Sequence, residues 1–271
     1  MTLSIVIVNF NGGAHIGNCL ASLDAAPPST PHDIVVVDNA STDGSPDDVR
    51  RRWPQIRLIA LEKNLGFSAG NNAGIRATTG EFVLLLNNDT VVGPGSLDRL
   101  LDRLRAHPDA AVAGPRLVSG DGRLEISFGP MLSPLAELRQ KALGLLYDRG
   151  IAVVERYVAR RAAAEQYVDW VSGACLLVYR RDAEAAGLLD ERYFLYTEDI
   201  DFCAAIRARG RKILFTPRAQ ITHLRGKSRS TAPRVANAAY RRSQIAFYEK
   251  HHPNWAPILK AYLRMKGAFP D

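Results

Sequence analysis

Apolar segments of two different periods alternate through the first half of this chain, and that alternation limits the fold more than any other feature. Short β-branched or apolar runs stand at Ser4–Val8, Ile34–Val37 and Phe82–Leu86, with a weaker one at Ile56–Leu61. Between them, apolar residues recur at helical spacing over His15–Leu23, Pro46–Arg52, Ser68–Thr78 and Gly95–His107. Uninterrupted apolar runs suit strands covered on both faces, and strands alternating with helices at this spacing build a parallel sheet. The predicted class is α/β, a Rossmann-like, mainly parallel sheet with helices on both faces.

The second half is less regular. Gly114–Phe128 carries turn signals at Ser119-Gly120-Asp121-Gly122, and Leu135–Arg161 reads as an amphipathic helix broken at Gly150. Val168–Tyr179 is strand-like around Ser172-Gly173. A helix from Glu198 ends at Gly210, and Ile213–Phe215 and Gln220–Thr222 are short strands. Val235–Lys250 and Ala256–Met265 are helical and form a C-terminal appendage. No repeat, low-complexity tract or linker divides the chain, which suggests one domain over about 1–230 and an extension over 231–271.

Composition narrows the function classes. The 271 residues are 46% hydrophobic and 23% charged, as in ordinary globular chains. No stretch approaches the roughly 20 apolar residues that span a bilayer. The opening MTLSIVIVNFNG lacks a basic n-region and a small-residue cleavage site, so it reads as a strand. Cys19, Cys175 and Cys203 are odd in number and widely spaced; they suit buried thiols in a reducing cytosol. The net charge of +7 is uneven. From Ala205 onward, fifteen Lys and Arg face only Glu249 and Asp271, a net of +13 that leaves about −6 on the first 204 residues. A basic third suits an anionic partner or a solvated face.

Three strands end in polar clusters: Asn9-Phe10-Asn11-Gly12, Asp38-Asn39-Ala40-Ser41 and Asn87-Asn88-Asp89. Ligands of open α/β sheets bind beyond the carboxyl ends of the strands. Asp38 suits a hydrogen bond from a pyrimidine ring N–H or a ribose, and its loop suits helix capping equally well. In NLGFSAGNNAG (64–74), Gly66 and Gly70 allow close backbone approach, and the helix that follows offers N–H groups to a diphosphate. No Gly-Lys-Ser/Thr follows, so this is not a Walker loop. Asp89, ending an apolar strand, suits Mg²⁺ or Mn²⁺. Glu198, Asp199 and Asp201 follow an aromatic run; one of them would serve as a general base, or Thr197 would cap a helix with acids in its first turn. His223 ends a strand before a basic loop.

Taken in order, SIVIVNFNG, IVVVDNASTDGS, NLGFSAGNN, GEFVLLLNNDT, DWVSGACLLVYR, YFLYTEDIDFC and THLRGKS resemble the family 2 glycosyltransferases of GT-A fold, bacterial rhamnosyltransferase-like members in particular. The likeness runs from about residue 3 to about residue 230. It implies a nucleotide-binding half over about 1–115 and an acceptor half over about 116–230. Asp38 then matches the base-binding aspartate, in a nucleotide pocket shared with Val8, Asn9, Gly66, Asn71, Asn87 and Asn88. Asn87-Asn88-Asp89 stands where the family has Asp-x-Asp, so Asp89 is the implied ligand of Mg²⁺ or Mn²⁺, completed by His223. Asn87 in place of the first Asp removes a charge from that motif. Asp199 matches the catalytic base, Glu198 and Trp170 the acceptor pocket, and Arg225 and Lys227 a phosphate site.

The implied reaction is inverting, metal-dependent transfer of one rhamnose-like sugar from a dTDP- or UDP-sugar to a hydroxyl of a glycan or a polyprenyl-diphosphate-linked saccharide, in cell-surface polysaccharide synthesis. The Gln-x-x-Arg-Trp motif of processive relatives is missing, which suits one sugar per encounter. The rivals are a sugar nucleotidyltransferase and a non-catalytic nucleic-acid-binding protein. The first normally opens with a basic glycine-rich loop, whereas no Lys or Arg precedes Arg50 here. The second needs none of these acids, and no nucleic-acid partner is expected. The expected location is the cytoplasm. Peripheral contact with anionic lipid at the inner membrane face is one use of the basic, aromatic tail; packing on the core and a homodimer contact are the others.

Overall fold

The computed structural model describes residues 1–224 and 233–270. The first four strands are β1 (Leu3–Asn9), β2 (His32–Asp38), β3 (Arg57–Ala60) and β4 (Phe82–Asn87). They are linked by helices α1 (Gly13–Ala25), α2 (Ser45–Arg52) and α3 (Phe67–Arg76); α4 (Ser96–Arg105) follows β5 (Thr90–Val92). Every residue of β1 is buried, which explains its unbroken apolar run. Leu3, Ile5 and Ile7 face a core made with Ile16 and Leu20 of α1, Val49 of α2 and Leu100 and Leu104 of α4. On the opposite face, Val6, Val35 and Leu85 pack with Ile75 of α3. Both faces are covered, as the sequence pattern predicts.

The second half adds β6 (Ala110–Ser119), β7 (Phe128–Gly129), α5 (Pro134–Asp148), α6 (Ala152–Ala163), β8 (Gln166–Val168), β9 (Trp170–Val171) and β10 (Cys175–Tyr179). Then come α7 (Arg180–Ala185), α8 (Glu198–Ala208), β11 (Lys212–His223), α9 (Pro233–His251) and α10 (Ala256–Met265). The main sheet runs β3-β2-β1-β4-β10-β6-β11-β5, with β8 also beside β11. β10 lies antiparallel to both β4 and β6, and β11 runs parallel to β6. Six of the nine strands thus run one way, while β10 inside the sheet and β5 and β8 beside β11 run the other. β7 and β9 form a separate antiparallel pair.

Three sequence expectations are refined here. The turn expected at Ser119-Gly120-Asp121-Gly122 forms, with the Gly122 N–H donating to Ser119 O at 2.8 Å, but Gly114–Ser119 before it belongs to the internal strand β6. Gly114 and Pro115 disguise it, since proline cannot donate to a ladder and is normally kept to edges or bulges. The structure supplies the bulge: the register of β11 against β6 slips between Thr216, opposite Pro115, and Gln220, opposite Arg116. The same slip makes Ile213–Phe215 and Gln220–Thr222 two parts of one strand. Val168–Tyr179 is divided among β8, β9 and β10.

The C-terminal helices are fastened by buried acids. Asp201, 2% exposed, accepts from Lys250 Nζ at 2.8 Å and Tyr193 Oη at 3.1 Å and pairs with His251 Nε2 at 2.6 Å. Glu137 of α5 accepts from Tyr248 Oη at 2.8 Å and Tyr240 Oη at 3.2 Å, and from Gln244. Phe247 and Tyr248 of α9 are buried with Leu132, Tyr193 and Ala256. These α9 aromatics pack on the core, and Asp201, one of three acids considered for chemistry, anchors α9.

Candidate active site

The register of the sheet brings the polar strand ends together. Asn9 lies opposite Asp38, and Val8 opposite Asn87, at the carboxyl ends of β1, β2 and β4. Asn9, 1% exposed, donates from Nδ2 to Asp38 Oδ1 at 3.1 Å and to Ser45 Oγ at 2.9 Å, and its Oδ1 accepts from Asn88 Nδ2 at 2.9 Å. The second Asp38 oxygen accepts from the Ser41 N–H at 3.0 Å. Asp38 is thereby fixed and stays an acceptor, because each carboxylate oxygen carries two lone pairs. Asn39, whose role the sequence did not show, clamps the next loop: it donates to Gly66 O at 3.0 Å and accepts from Leu65 N–H at 2.8 Å.

Gly66 and Gly70 make their close contacts with the protein itself. A Cβ on Gly66 would lie 2.5 Å from the Phe194 carbonyl oxygen, and one on Gly70 would lie 2.9 Å from Val8 Cγ1. The Phe67 N–H at the start of α3 donates to Phe194 O at 2.7 Å. The buried Asn71 donates to Phe67 O at 2.9 Å. Gly66 and Phe67 therefore hold the Phe194 loop against α3, and Gly70 seats α3 on β1, uses that compete with the diphosphate contact expected from sequence.

That loop delivers the acids. Tyr196 and Thr197 both take left-handed backbone, with φ of 69° and 66°. Such a conformation is held only by its surroundings and costs roughly 1–3 kcal/mol per non-glycine residue. The Thr197 hydroxyl makes no cap bond to α8, contrary to the capping reading. Asp199 opens α8 and accepts from Gly173 N–H at 2.9 Å and Ile200 N–H at 2.8 Å. Ala174, next to Gly173, accepts from the Asn87 N–H at 3.0 Å, so Asp199 is tied through two residues to the end of β4. Ser172-Gly173 is thus the gap between β9 and β10 that receives the carboxylate. Burial pushes the Asp199 carboxyl above the usual range, and the two N–H bonds counter it. Glu198, 6% exposed, is pushed up much further by burial and then by the charge of Asp199 beside it. Of the two neighbours, Glu198 is the one that burial drives harder toward its protonated form, so a negative charge rests more easily on Asp199.

At the β4–β5 turn, His223 Nε2 faces Asp89 Oδ1 at 3.2 Å, while its Nδ1 meets Glu125 Oε2 at 3.0 Å. Burial alone would lower the imidazole, but the hydrogen bonds to Asp89 and Glu125 outweigh it and raise the pKa to about 9. A carboxylate behind an imidazole fixes its ring and aims the other nitrogen, as in many metal sites. Glu125 carried no sequence signal, lying in an irregular stretch without period. Among the described residues no three His, Cys, Asp or Glu side chains are grouped to hold a metal. Asn87 Oδ1 is nevertheless buried beside this pair without a hydrogen-bond partner. One carboxylate, one imidazole and one amide oxygen fit a Mg²⁺ or Mn²⁺ ion that takes its remaining oxygens from substrate phosphates. Trp170 is buried, with its indole N–H donated to Pro130 O at 2.8 Å and its ring against Gly129. Arg225 and Lys227 lie outside the described residues.

The Glycosyl transferase family 2 model matches residues 4–167. An N-acetylglucosaminyl-diphospho-decaprenol L-rhamnosyltransferase of Mycobacterium tuberculosis is 33% identical over 270 residues, covering 94% of this chain and 87% of its own. Among solved structures, a mannosyltransferase from Pyrobaculum calidifontis in complex with GDP-Man and Mn²⁺ superposes with a TM-score of 0.62 at 20% identity, over 96% of this chain and 68% of that one. The UDP-GlcNAc complex of TarS from S. aureus gives 0.60 at 18% identity, over 92% of this chain and 67% of that one. The fold is thus that of the GT-A glycosyltransferases, and the chain belongs to the family 2 glycosyltransferases.

Proposed function

We propose that this enzyme transfers a single rhamnose-like sugar, with inversion, from a thymidine or uridine diphosphate sugar to a hydroxyl of a polyprenyl-diphosphate-linked saccharide. The Asp199 carboxylate carries the reading: the Gly173 and Ile200 N–H groups hold it, and Ala174, next to Gly173, is bonded to the end of β4. The base of the donor lies at Asp38, whose free lone pairs accept its ring N–H. Asp89, His223 and Asn87 Oδ1 would hold a divalent cation, and Glu125 orients the imidazole. When bound, that cation neutralises charge growing on the departing diphosphate. Asp199 takes the proton of the acceptor hydroxyl as its oxygen forms the new bond to the anomeric carbon. The bond from that carbon to the diphosphate oxygen breaks, and nucleoside diphosphate leaves on the opposite face.

The acceptor class comes from the Mycobacterium tuberculosis relative, whose name specifies an N-acetylglucosaminyl-diphospho-decaprenol. Three free, buried cysteines suit a reducing cytoplasm. The test incubates the protein with thymidine diphosphate rhamnose, Mn²⁺ and a short prenyl-diphosphate N-acetylglucosamine, and reads products by mass and NMR. A rhamnosylated lipid with inverted anomeric configuration is expected. Donor hydrolysis without transfer, or retained configuration, would sink the proposal.

A further inference from the structure

Helix α5 is inside out. It buries Glu137, 7% exposed, and leaves Leu135, Leu138 and Leu145 at 57%, 65% and 54% exposure. With Ala142, also exposed, these residues recur at steps of three, four and three, the spacing of one helical face. A soluble helix normally turns such a stripe inward. The apolar exposure continues past the Gly150 break to Ile151, Val153 and Tyr157.

Helix α10 repeats the pattern. Trp255, at its N-terminal boundary, and Ile258, Tyr262 and Met265 follow the same steps and are 49%, 56%, 48% and 80% exposed. The two helices spring from one place. Leu132, just before α5, and Ala256, at the start of α10, share a small core with Tyr193, and His252 Nε2 meets Leu132 O at 2.8 Å. Tyr193 begins the loop that carries Asp199. Basic residues outnumber acidic ones beside the stripes: exposed Arg139, Arg149, Arg156 and Arg160 against Asp148 and Glu155 on the α5–α6 hairpin, and Lys266 at the end of α10. No helix among the described residues is long and apolar enough to cross a membrane.

We propose that the outward stripes of α5 and α10 form a docking surface for a bilayer containing anionic lipid, seating the apolar side chains at the interface with the arginines and lysines among the headgroups. Contiguous exposed apolar stripes mark interaction surfaces, and flanking cations select a surface of negative charge. The inference deepens the proposed use of a lipid-linked acceptor, because it brings the Asp199 loop to the surface where such an acceptor resides.

The test is co-sedimentation of the full chain with phosphatidylcholine vesicles, with and without phosphatidylglycerol, at low and high salt. The wild-type protein is expected to pellet with the anionic vesicles and less so as salt rises. Leu138→Glu with Leu145→Glu, and Ile258→Glu with Met265→Glu, should each lower partitioning several-fold, and all four together roughly tenfold or more. Circular dichroism of each variant reports folding, and since all four positions are exposed, native spectra are expected. Wild-type protein left in the supernatant with anionic vesicles overturns the proposal, as does quadruple-variant protein that pellets like wild type. So does a wild-type dimer in light scattering that the variants dissolve without any vesicle binding, which assigns the stripes to a second copy. Calorimetry with thymidine diphosphate on the same proteins tests the transferase reading separately, since nucleotide binding does not require the membrane.

Discussion

Replacing Gly66 with alanine tests how the donor side and the base are coupled. Gly66 has φ 88° and ψ 176°, a region kept almost entirely to glycine. The backbone strain for alanine there is about 1–3 kcal/mol. The new Cβ would sit 2.5 Å from Phe194 O and 2.8 Å from Phe194 Cα, too close for either backbone to remain in place. Overpacking of this kind adds about 1–3 kcal/mol, so Gly66→Ala should destabilise by about 4 kcal/mol, or roughly 10 °C in Tm. Relief requires the Phe194 loop to retreat, which breaks the 2.7 Å bond from Phe67 N–H and moves Asp199 with it. Turnover should therefore fall more than nucleoside diphosphate affinity. Gly122→Ala is the control: its φ is 81°, but a Cβ there meets nothing within 4 Å, so only the left-handed strain of about 1–2 kcal/mol applies. Thermal unfolding, steady-state kinetics and calorimetry decide the matter. If Gly66→Ala matches the control in Tm and keeps wild-type kcat, the coupling through Phe194 is wrong.

Asp199→Asn should reduce transfer by about 10²–10⁴-fold while leaving nucleoside diphosphate affinity near wild type, because a general base is lost but the donor site is not; a product assay beside calorimetry checks it. In metal-free protein, His223 is raised from its ordinary 6.5 to about 9, so its contribution to stability is complete below about pH 6.5 and disappears as pH rises through about 9. Tm measured in EDTA across that window should fall for wild type relative to His223→Ala, whose curve lacks this component. The same proton competes with metal, so Mn²⁺ affinity should climb with pH up to about 9. Asp201→Ala strips partners from Lys250, His251 and Tyr193 in a buried site and should cost roughly 3 kcal/mol in unfolding experiments. Nucleoside diphosphate binding should survive that change, since Asp201 anchors α9.

The legible part of this molecule is the part whose physics is local. Ser4–Val8 and Phe82–Leu86 are buried on both faces, so their apolar runs announce strands, and the polar residues that end them mark the ligand edge. Asp199, Asp89 and His223 could be placed because their sequence blocks resemble a family. Pro115 hid β6, because its tolerance depends on a bulge formed by residues a hundred positions away. Glu125 was invisible for a related reason: it acts through His223, and nothing near residue 125 records that meeting. Gly66 was read as making room for phosphate, since local sequence shows that a close approach occurs without showing what approaches. The C-terminal aromatics were ambiguous until α9 turned Phe247 and Tyr248 inward and α10 turned Trp255 and Tyr262 outward.

The central claim is that the carboxyl edge of β1, β2 and β4 is a metal-assisted nucleoside diphosphate site. Calorimetric titration of thymidine diphosphate and uridine diphosphate, with Mn²⁺ and with EDTA, tests it most directly on wild type, Asp38→Ala and Asp89→Ala. Wild type should bind at least one of the two nucleotides, and chelation should weaken that binding by about tenfold or more, the scale of a lost charge-assisted contact. Asp38→Ala should weaken binding by a similar factor with or without metal, whereas Asp89→Ala should abolish the difference that metal makes. Nucleotide binding that ignores EDTA and both substitutions would contradict the account.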